Sequence, residues 1–316
     1  MRQYTLRRLA YLPLIIVLVA IVTFFTLRLP WSQDPVTLVS TPQTTPAQQQ
    51  AIRHEWGLDK PVAQQFAVWV GNLFRGNLGK TFQGRQPVWP QITSRFPVTI
   101  EILILAVVFS TIFGVSFGVI TAVKQNTPVD YAFRVFAVFG QSIPEFFLLI
   151  LLIVLPSIWW NYAPPVGGHV SLFHHPWENI RLYVPPTLML AIGGSAGMMR
   201  ITRSTLIEVF RQDYMRTAQA KGLASTIVVL RHGLRNALIP IVTIIGYQIS
   251  ALFFGALILE QIFSLNGLGQ FLYTALLNAD FPVIEFLVIY SAIVIVVMNL
   301  LIDLSYAFLD PRIRYT

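Results

Sequence analysis

The sequence contains no cysteine and only 11% charged residues, and both scarcities exclude whole classes of function. Without cysteine there is no disulfide framework, no Cys-ligated zinc, no iron–sulfur cluster and no thiol nucleophile. An ordinary soluble domain carries roughly 25% charged residues. A chain of 316 residues with so few cannot cover a water-facing surface. Its 55% hydrophobic content also excludes disorder, collagen and a coiled coil. Hydrolytic patterns are missing as well: there is no His-Glu-x-x-His pair, no Gly-x-Ser-x-Gly elbow and no glycine-rich nucleotide loop. Gly79-Lys80-Thr81 shares its letters with a phosphate-binding loop, but Phe74 stands where that pattern needs its first glycine.

What is present is a series of apolar runs near the ~20 residues that cross a bilayer core as a helix. Six are marked: Leu9–Leu29, Val98–Val123, Phe133–Trp159, Leu182–Met199, Leu238–Leu259 and Phe286–Leu309. A helix satisfies all its backbone groups internally, so the expected fold class is an all-α polytopic membrane protein with six transmembrane helices. The first run is too long for a signal-peptide core and no small-x-small cleavage site follows it. It is read as an uncleaved helix. The chain then divides into 1–30 (a short inner segment and the first helix), 31–97 (a long outer loop) and 98–316 (five further helices), with an inner loop at 200–236.

The net charge of +8 would suggest nucleic acid in a soluble protein. In a membrane protein it is first an orientation signal. With the N-terminus inside, fourteen of the 22 basic residues fall in inner segments, seven of them between Arg200 and Arg235. Six of the rest lie in the long outer loop, where the rule has little force. Both termini are therefore expected in the cytoplasm, with no nucleic-acid partner. Trp31, Trp159, Trp160, Tyr162, Trp177 and Tyr183 flank the expected outer ends, as interfacial rings do.

Ionisable groups at membrane depth are costly and usually functional. Glu145 follows Pro144, which should break the helix and open backbone groups to a cavity; it is the candidate residue for a substrate path. Glu101 and Glu260 are expected to be solvated near the outer surface, and Asp303 to cap or pair near the inner third. No acid pairs with a base at helical spacing inside a span, so no proton relay is visible. His169, His174 and His175 share one outer loop and could in principle ligate a metal, but a polar surface loop is the simpler reading, and no metal is assigned. His54 and His232 show no clear partners. Gly193–Gly197 (GGSAG) lies inside a span, where small residues permit close helix packing.

The inner loop is the most informative segment. Leu206, Phe210, Tyr214 and Ala218 recur every four residues, an apolar helical stripe with Arg211, Arg216 and Lys221 mostly off it. Gly222 then suits a left-handed cap, and Thr226–Leu234 leads on to the next span. Periodicity alone leaves two readings open. The helix docks in a partner's groove, or it rests as a basic interfacial helix on anionic lipid headgroups.

DYMRTAQAKGL (Asp213–Leu223) followed by RHGLRNALIP (Arg231–Pro240) resembles the cytoplasmic coupling segment of binding-protein-dependent ABC importer permeases, specifically the B-type subunit of the dipeptide/oligopeptide/nickel group. Arg216-Thr217-Ala218 before Gly222 is the peptide-group variant of the Glu-Ala-Ala…Gly motif. The resemblance extends to Tyr4–Val19, Gly57–Pro61, Gly71–Phe82, Gln141–Phe146, Phe263–Gly269 and Leu309–Arg314, with Asn266 replacing the usual proline before Gly267. It implies a type I ABC importer permease fold in a bacterial or archaeal inner (plasma) membrane. The implied partners are a homologous C-type permease, two cytoplasmic ATPase subunits that hold Mg-ATP, and an extracytoplasmic solute-binding protein that delivers dipeptides or oligopeptides. The ATPase contact would fall on Asp213, Tyr214, Thr217, Ala218, Lys221 and Gly222, and this chain would itself be neither an enzyme nor a cofactor carrier. A nickel or metal-chelate importer is the alternative within the class, and an ion-coupled secondary transporter the alternative outside it; the inverted repeats and paired intramembrane acids of the latter are not visible.

Overall fold

The computed structural model describes residues 2–29 and 34–309, with the side chains of 11–29 and 34–302. Trp31, the side chains of Arg2, Arg7, Arg8 and Asp303, and the Leu309–Arg314 motif beyond its first residue lie outside the described residues. The described residues form two units: one contains 98–265 and 298–309, the other 2–29, 34–97 and 266–297.

In the first unit, the central element is α8 (Pro176–Phe210), which packs against α6 (Pro128–Ser142), α7 (Glu145–Trp160) and α11 (Arg235–Ile262). The part of α5 (Val88–Val123) in this unit, from Val98 on, joins α8 along a seam of small residues. A methyl group at Gly118 would lie 2.5 Å from Thr202 Cβ, and one at Gly114 would collide with Met198. The Ser110 hydroxyl, one further turn along, donates to Ala191 O at 3.2 Å. Ser110, Gly114 and Gly118 thus repeat every four residues, the small-xxx-small spacing that lets two helices approach closely without side chains between them. GGSAG completes the arrangement from α8: Gly194 faces Ser110 and Gln248, and Gly197 faces Gln141.

Among the described residues, four helices are long and apolar enough to span a membrane: α5, α8, the continuous stretch Ser225–Ile262 and Phe281–Ile302 of α13 (Phe281–Leu309). The expected third span, Phe133–Trp159, is not one straight helix. It is the pair α6 and α7, bent by 97° at Ile143–Pro144, and counts as a fifth span only if taken together. Pro144 lacks an N–H and disfavours helical geometry in the residue before it, so Ile143 sits extended (φ −88°, ψ 124°) and the ladder stops. Of the first expected span, Leu9–Leu29, the side chains from Tyr11 are described, within α1 (Arg2–Leu27).

The second unit gives the expected long loop regular structure. Asp34 caps α2 (Pro35–Val39), accepting from Val36 N at 3.1 Å. Thr45 and Gln48 form a reciprocal capping box at the start of α3 (Pro46–Glu55), with Pro46 in the first turn. Residues 41–50 thus form a turn and a helix start. Next comes α4 (Val62–Phe74), and α12 (Leu268–Leu277) packs Leu268 and Ala275 with Val88, Ile92, Val283, Ile284 and Leu287 into one core.

Two buried acids anchor this unit. Glu285 is 2% exposed and accepts from Arg28 Nη1 at 2.5 Å, while Arg28 Nε donates to Gln65 Oε1 at 2.8 Å and the guanidinium lies 3.5 Å over the Phe24 ring. One cation therefore ties α1, α4 and α13 together. Asp280 Oδ2 accepts from Phe82 N at 2.9 Å, and its buried Oδ1 has no partner among the described residues. Burial, the dominant cause, pushes the Asp280 carboxyl up from 3.8 to about 6. Between those values the folded state keeps a proton that the unfolded state has released. Stability must then fall as pH rises through this window, by up to about 3 kcal/mol. Asp280→Asn keeps an acceptor for Phe82 and removes the titration. Thermal unfolding of both proteins from pH 4 to pH 7 should show the variant's advantage growing with pH and levelling off above the folded value.

Candidate functional site

The loop between α8 and α11 is a compact local structure. At Arg211–Gln212 the helix breaks: Arg211 N turns back to Glu208 O, and Gln212 is extended (φ −73°, ψ 146°) before α9 (Asp213–Ala220). This two-residue break rephases the expected stripe. Leu206 and Ala218 are buried and Phe210 is half-buried, but Tyr214 is 43% exposed and Met215 takes its place inside. Met215, Ala218 and Val228 form a small core with Val209 and Phe210. The buried face of α9 thus packs on its own chain.

The six expected contact residues separate by exposure. Asp213, Tyr214, Thr217, Lys221 and Gly222 are exposed, whereas Ala218 is 6% exposed within the Met215–Val228 core. Gly222 has φ +73° and donates to Gln219 O at 2.9 Å, closing α9 in the left-handed conformation that glycine adopts without steric cost. Chain direction then returns through α10 (Ser225–Ile227) and a π-helical segment, Val228–Leu234, that runs without interruption into α11. Gly233 in that segment touches the Phe210 ring, where a methyl group would come within 2.9 Å.

Just above the loop, Asp130 and Arg203 clamp α6 to α8. Asp130 is fully buried and accepts from Arg203 Nε at 2.9 Å and Nη2 at 2.8 Å, with Asn126 N as a third donor at 3.0 Å. The bidentate geometry and the position of Asp130 in the first turn of α6 both favour the charged form. Sequence reading missed this pair because its members lie 73 residues apart.

Deeper in the same unit, Glu145 begins α7 after the Pro144 break. Its carboxylate occupies a slot between two glycines: the Cβ position at Gly193 is 3.1 Å from Oε1, and that at Gly255 is 2.8 Å from Oε2. No basic group pairs with it among the described residues. On the same face of α11 as Gly255, two turns away, Gln248 Nε2 donates to Gly194 O at 2.5 Å, and its buried Oε1 has no partner among the described residues. Gln248 was not singled out from the sequence, since an isolated amide in an apolar run carries no pattern.

Other expectations need correction. Glu260 is not solvated: it is fully buried, and Thr99 Oγ1 donates to it at 2.6 Å. Glu101 is half-buried and accepts from Asn179 Nδ2 at 2.7 Å. Both sit where α5, α8 and α11 supply neighbours that no local pattern shows. Tyr183 is fully buried, its hydroxyl 3.2 Å from His169 Nδ1. His54 does have a partner, Asp59 Oδ2 at 2.6 Å. His169, His174 and His175 do not come together as a metal cluster among the described residues.

Comparison with known proteins then assigns the chain. Residues 114–315 match the family model described as binding-protein-dependent transport system inner membrane component, and residues 1–103 match the corresponding N-terminal model. The chain belongs to this family. It is a multi-pass inner-membrane permease of the ABC importer type. A putative peptide transport system permease protein of Brucella abortus is 36% identical over 315 residues, covering 100% of both chains. A glutathione transport system permease protein of Escherichia coli is 36% identical over 316 residues with the same coverage. Among solved structures, an inward-facing methionine ABC transporter matches with TM-score 0.54 at 16% identity, covering 67% of this permease and 93% of that chain. An amino acid ABC transporter matches with TM-score 0.52 at 15% identity, covering 68% and 92%. These two carry the fold.

The clamp can be tested in the permease. Arg203→Met leaves a buried carboxylate uncompensated, a loss of about 3–5 kcal/mol. Arg203→Met combined with Asp130→Leu removes both charges and should recover most of that loss. Thermal unfolding of the purified single and double variants measures both effects, and no recovery in the double variant would mean that the ion pair is not the interaction lost.

Proposed function

We propose that this permease imports short peptides, as one half of a heterodimer with a homologous C-type permease. One of two ATPase subunits docks on α9, the other on the partner permease, and a solute-binding protein delivers the substrate. Mg-ATP belongs to the ATPase subunits. On this reading both termini and α9 face the cytoplasm, and the basic residues of the 200–236 loop keep that side inside.

The observation that carries the proposal is the two-faced burial of α9. Met215 and Ala218 fix one face to the permease, and Tyr214, Thr217 and Lys221 are exposed beside it. A partner that grips the free face moves α8 and α11 with it, because the gripped helix cannot slide on its own scaffold. Ala218 then acts by letting α9 sit close to Val228 rather than by touching the partner. ATP binding and substrate delivery are coupled if both favour the same arrangement of the spans. Glu145 and Gln248 are the proposed polar points along the path, since polar groups left unsatisfied at membrane depth serve a ligand more often than the fold. A lone carboxylate suits the ammonium terminus of a peptide.

Uptake of labelled dipeptides, oligopeptides and nickel in a strain lacking this chain, before and after the chain is supplied, tests the substrate class. Restored peptide uptake is the expected result; restoration of nickel alone would replace the peptide reading with the metal one. Thr217→Trp, on the exposed face, should weaken retention of the ATPase subunits by at least about thirtyfold, a hot-spot-sized effect, without changing the permease's thermal unfolding. Unchanged retention would remove α9 as the dock.

A further inference from the structure

The second unit contains a cavity of about 440 Å³ that none of the roles above uses. That volume is within the range of small-ligand sites. Its walls come from two stretches singled out in the sequence, Gly57–Pro61 and Gly71–Phe82, together with α4 and the ends of α1 and α13.

Charge and shape together define what fits. Four cations and two acids line the space. Arg28 pairs with Glu285 at 2.5 Å and Arg85 with Glu55 at 2.9 Å, so those charges cancel. Lys60 and Lys80 form no ion pair among the described residues, which leaves two exposed ammonium groups on the cavity. The aromatic walls are already held. Trp56 stacks on Phe82 with centroids 4.2 Å apart and planes 4° from parallel. Trp69 rests 5.2 Å from Phe24 and 5.9 Å from Phe66. Asp280 fixes the Phe82 backbone from below. The Asn72 side-chain amide also reaches the space and makes no side-chain hydrogen bond among the described residues.

We propose that this cavity binds the C-terminal carboxylate of a short peptide, with Lys60 and Lys80 on the anion and the Trp56/Phe82 and Trp69 faces against its last side chain. The identity of the carboxylate bearer rests on the peptide reading above. Two lysines give charge-assisted hydrogen bonds to one carboxylate, and the rings supply an apolar surface that an inorganic anion would leave wet. The ordered walls keep the entropy of closing on a ligand small. Such a site holds peptide on the permease itself, separately from the solute-binding protein.

The test uses the full chain in lipid nanodiscs, titrated with alanyl-phenylalanine and with its C-terminal amide, and followed by calorimetry and tryptophan fluorescence. Saturable binding of the free acid is expected, at least about tenfold tighter than the amide. The Lys60→Gln/Lys80→Gln variant should lose the same factor, and the Lys60→Arg/Lys80→Arg variant should keep binding. Both lysines are exposed, so an unchanged thermal unfolding curve serves as the folding control. Equal binding of acid and amide, no saturable binding, or full affinity in the glutamine variant would overturn the site. Uptake by the assembled wild-type transporter separates the two ideas: peptide import without binding here refutes only the cavity, whereas binding here without peptide import refutes the transport reading.

Discussion

The contact of Met215 and Ala218 with Val228 is the constraint on which the functional account depends. Without it, α9 would be a polar peptide tethered between two spans at Arg211–Gln212 and Gly222, free to swing when pulled. With those side chains buried, a hydrophobic contact of a few residues turns a loop into a lever. Gly233 lets the π-helical segment approach Phe210, and Gly222 closes α9 without strain, so the small residues of this region set its geometry while the large ones hold it. The Asp130–Arg203 clamp extends the fixed region from α8 to α6.

A second constraint operates within the membrane-spanning part. Apolar burial gives little preference for one helix arrangement over another where lipid is equally apolar, so close backbone approach must specify it. Ser110, Gly114 and Gly118 supply that on α5, and Gly193, Gly194 and Gly197 on α8. The same glycines make room for polar groups. Glu145 lies between Gly193 and Gly255, and Gln248 reaches the Gly194 carbonyl. Dense packing and the polar slot are therefore two consequences of one set of small residues.

Much of this was legible in order along the chain. The membrane class followed from charge scarcity, the break before Glu145 from Pro144, the left-handed close of α9 from Gly222, and the family from the Asp213–Leu223 segment. What local pattern could not give were contacts between distant residues. Asp130 with Arg203 and Arg28 with Glu285 lie 73 and 257 positions apart, and the burial of Glu260 depends on Thr99 from another helix. The rephasing at Arg211–Gln212 was hidden for a different reason: a two-residue break leaves the four-residue spacing intact in the sequence while rotating Tyr214 outward and Met215 inward. The helices within 34–97 escape a search for apolar runs of span length, since α2, α3 and α4 have 5, 10 and 13 residues.

The absence of cysteine makes the central claim directly measurable, since any introduced pair is the only pair in this chain and can be labelled before the transporter is assembled. Lys124→Cys, at the end of α5, and Thr217→Cys, on the exposed face of α9, both lie in one unit and, once spin-labelled, can be measured in the assembled transporter. If α9 is a lever fixed to its own chain, the distance distribution between the labels should be narrow and the same with and without bound nucleotide. A distribution that broadens or shifts when the ATPase subunits close would show α9 moving against its scaffold and contradict the account.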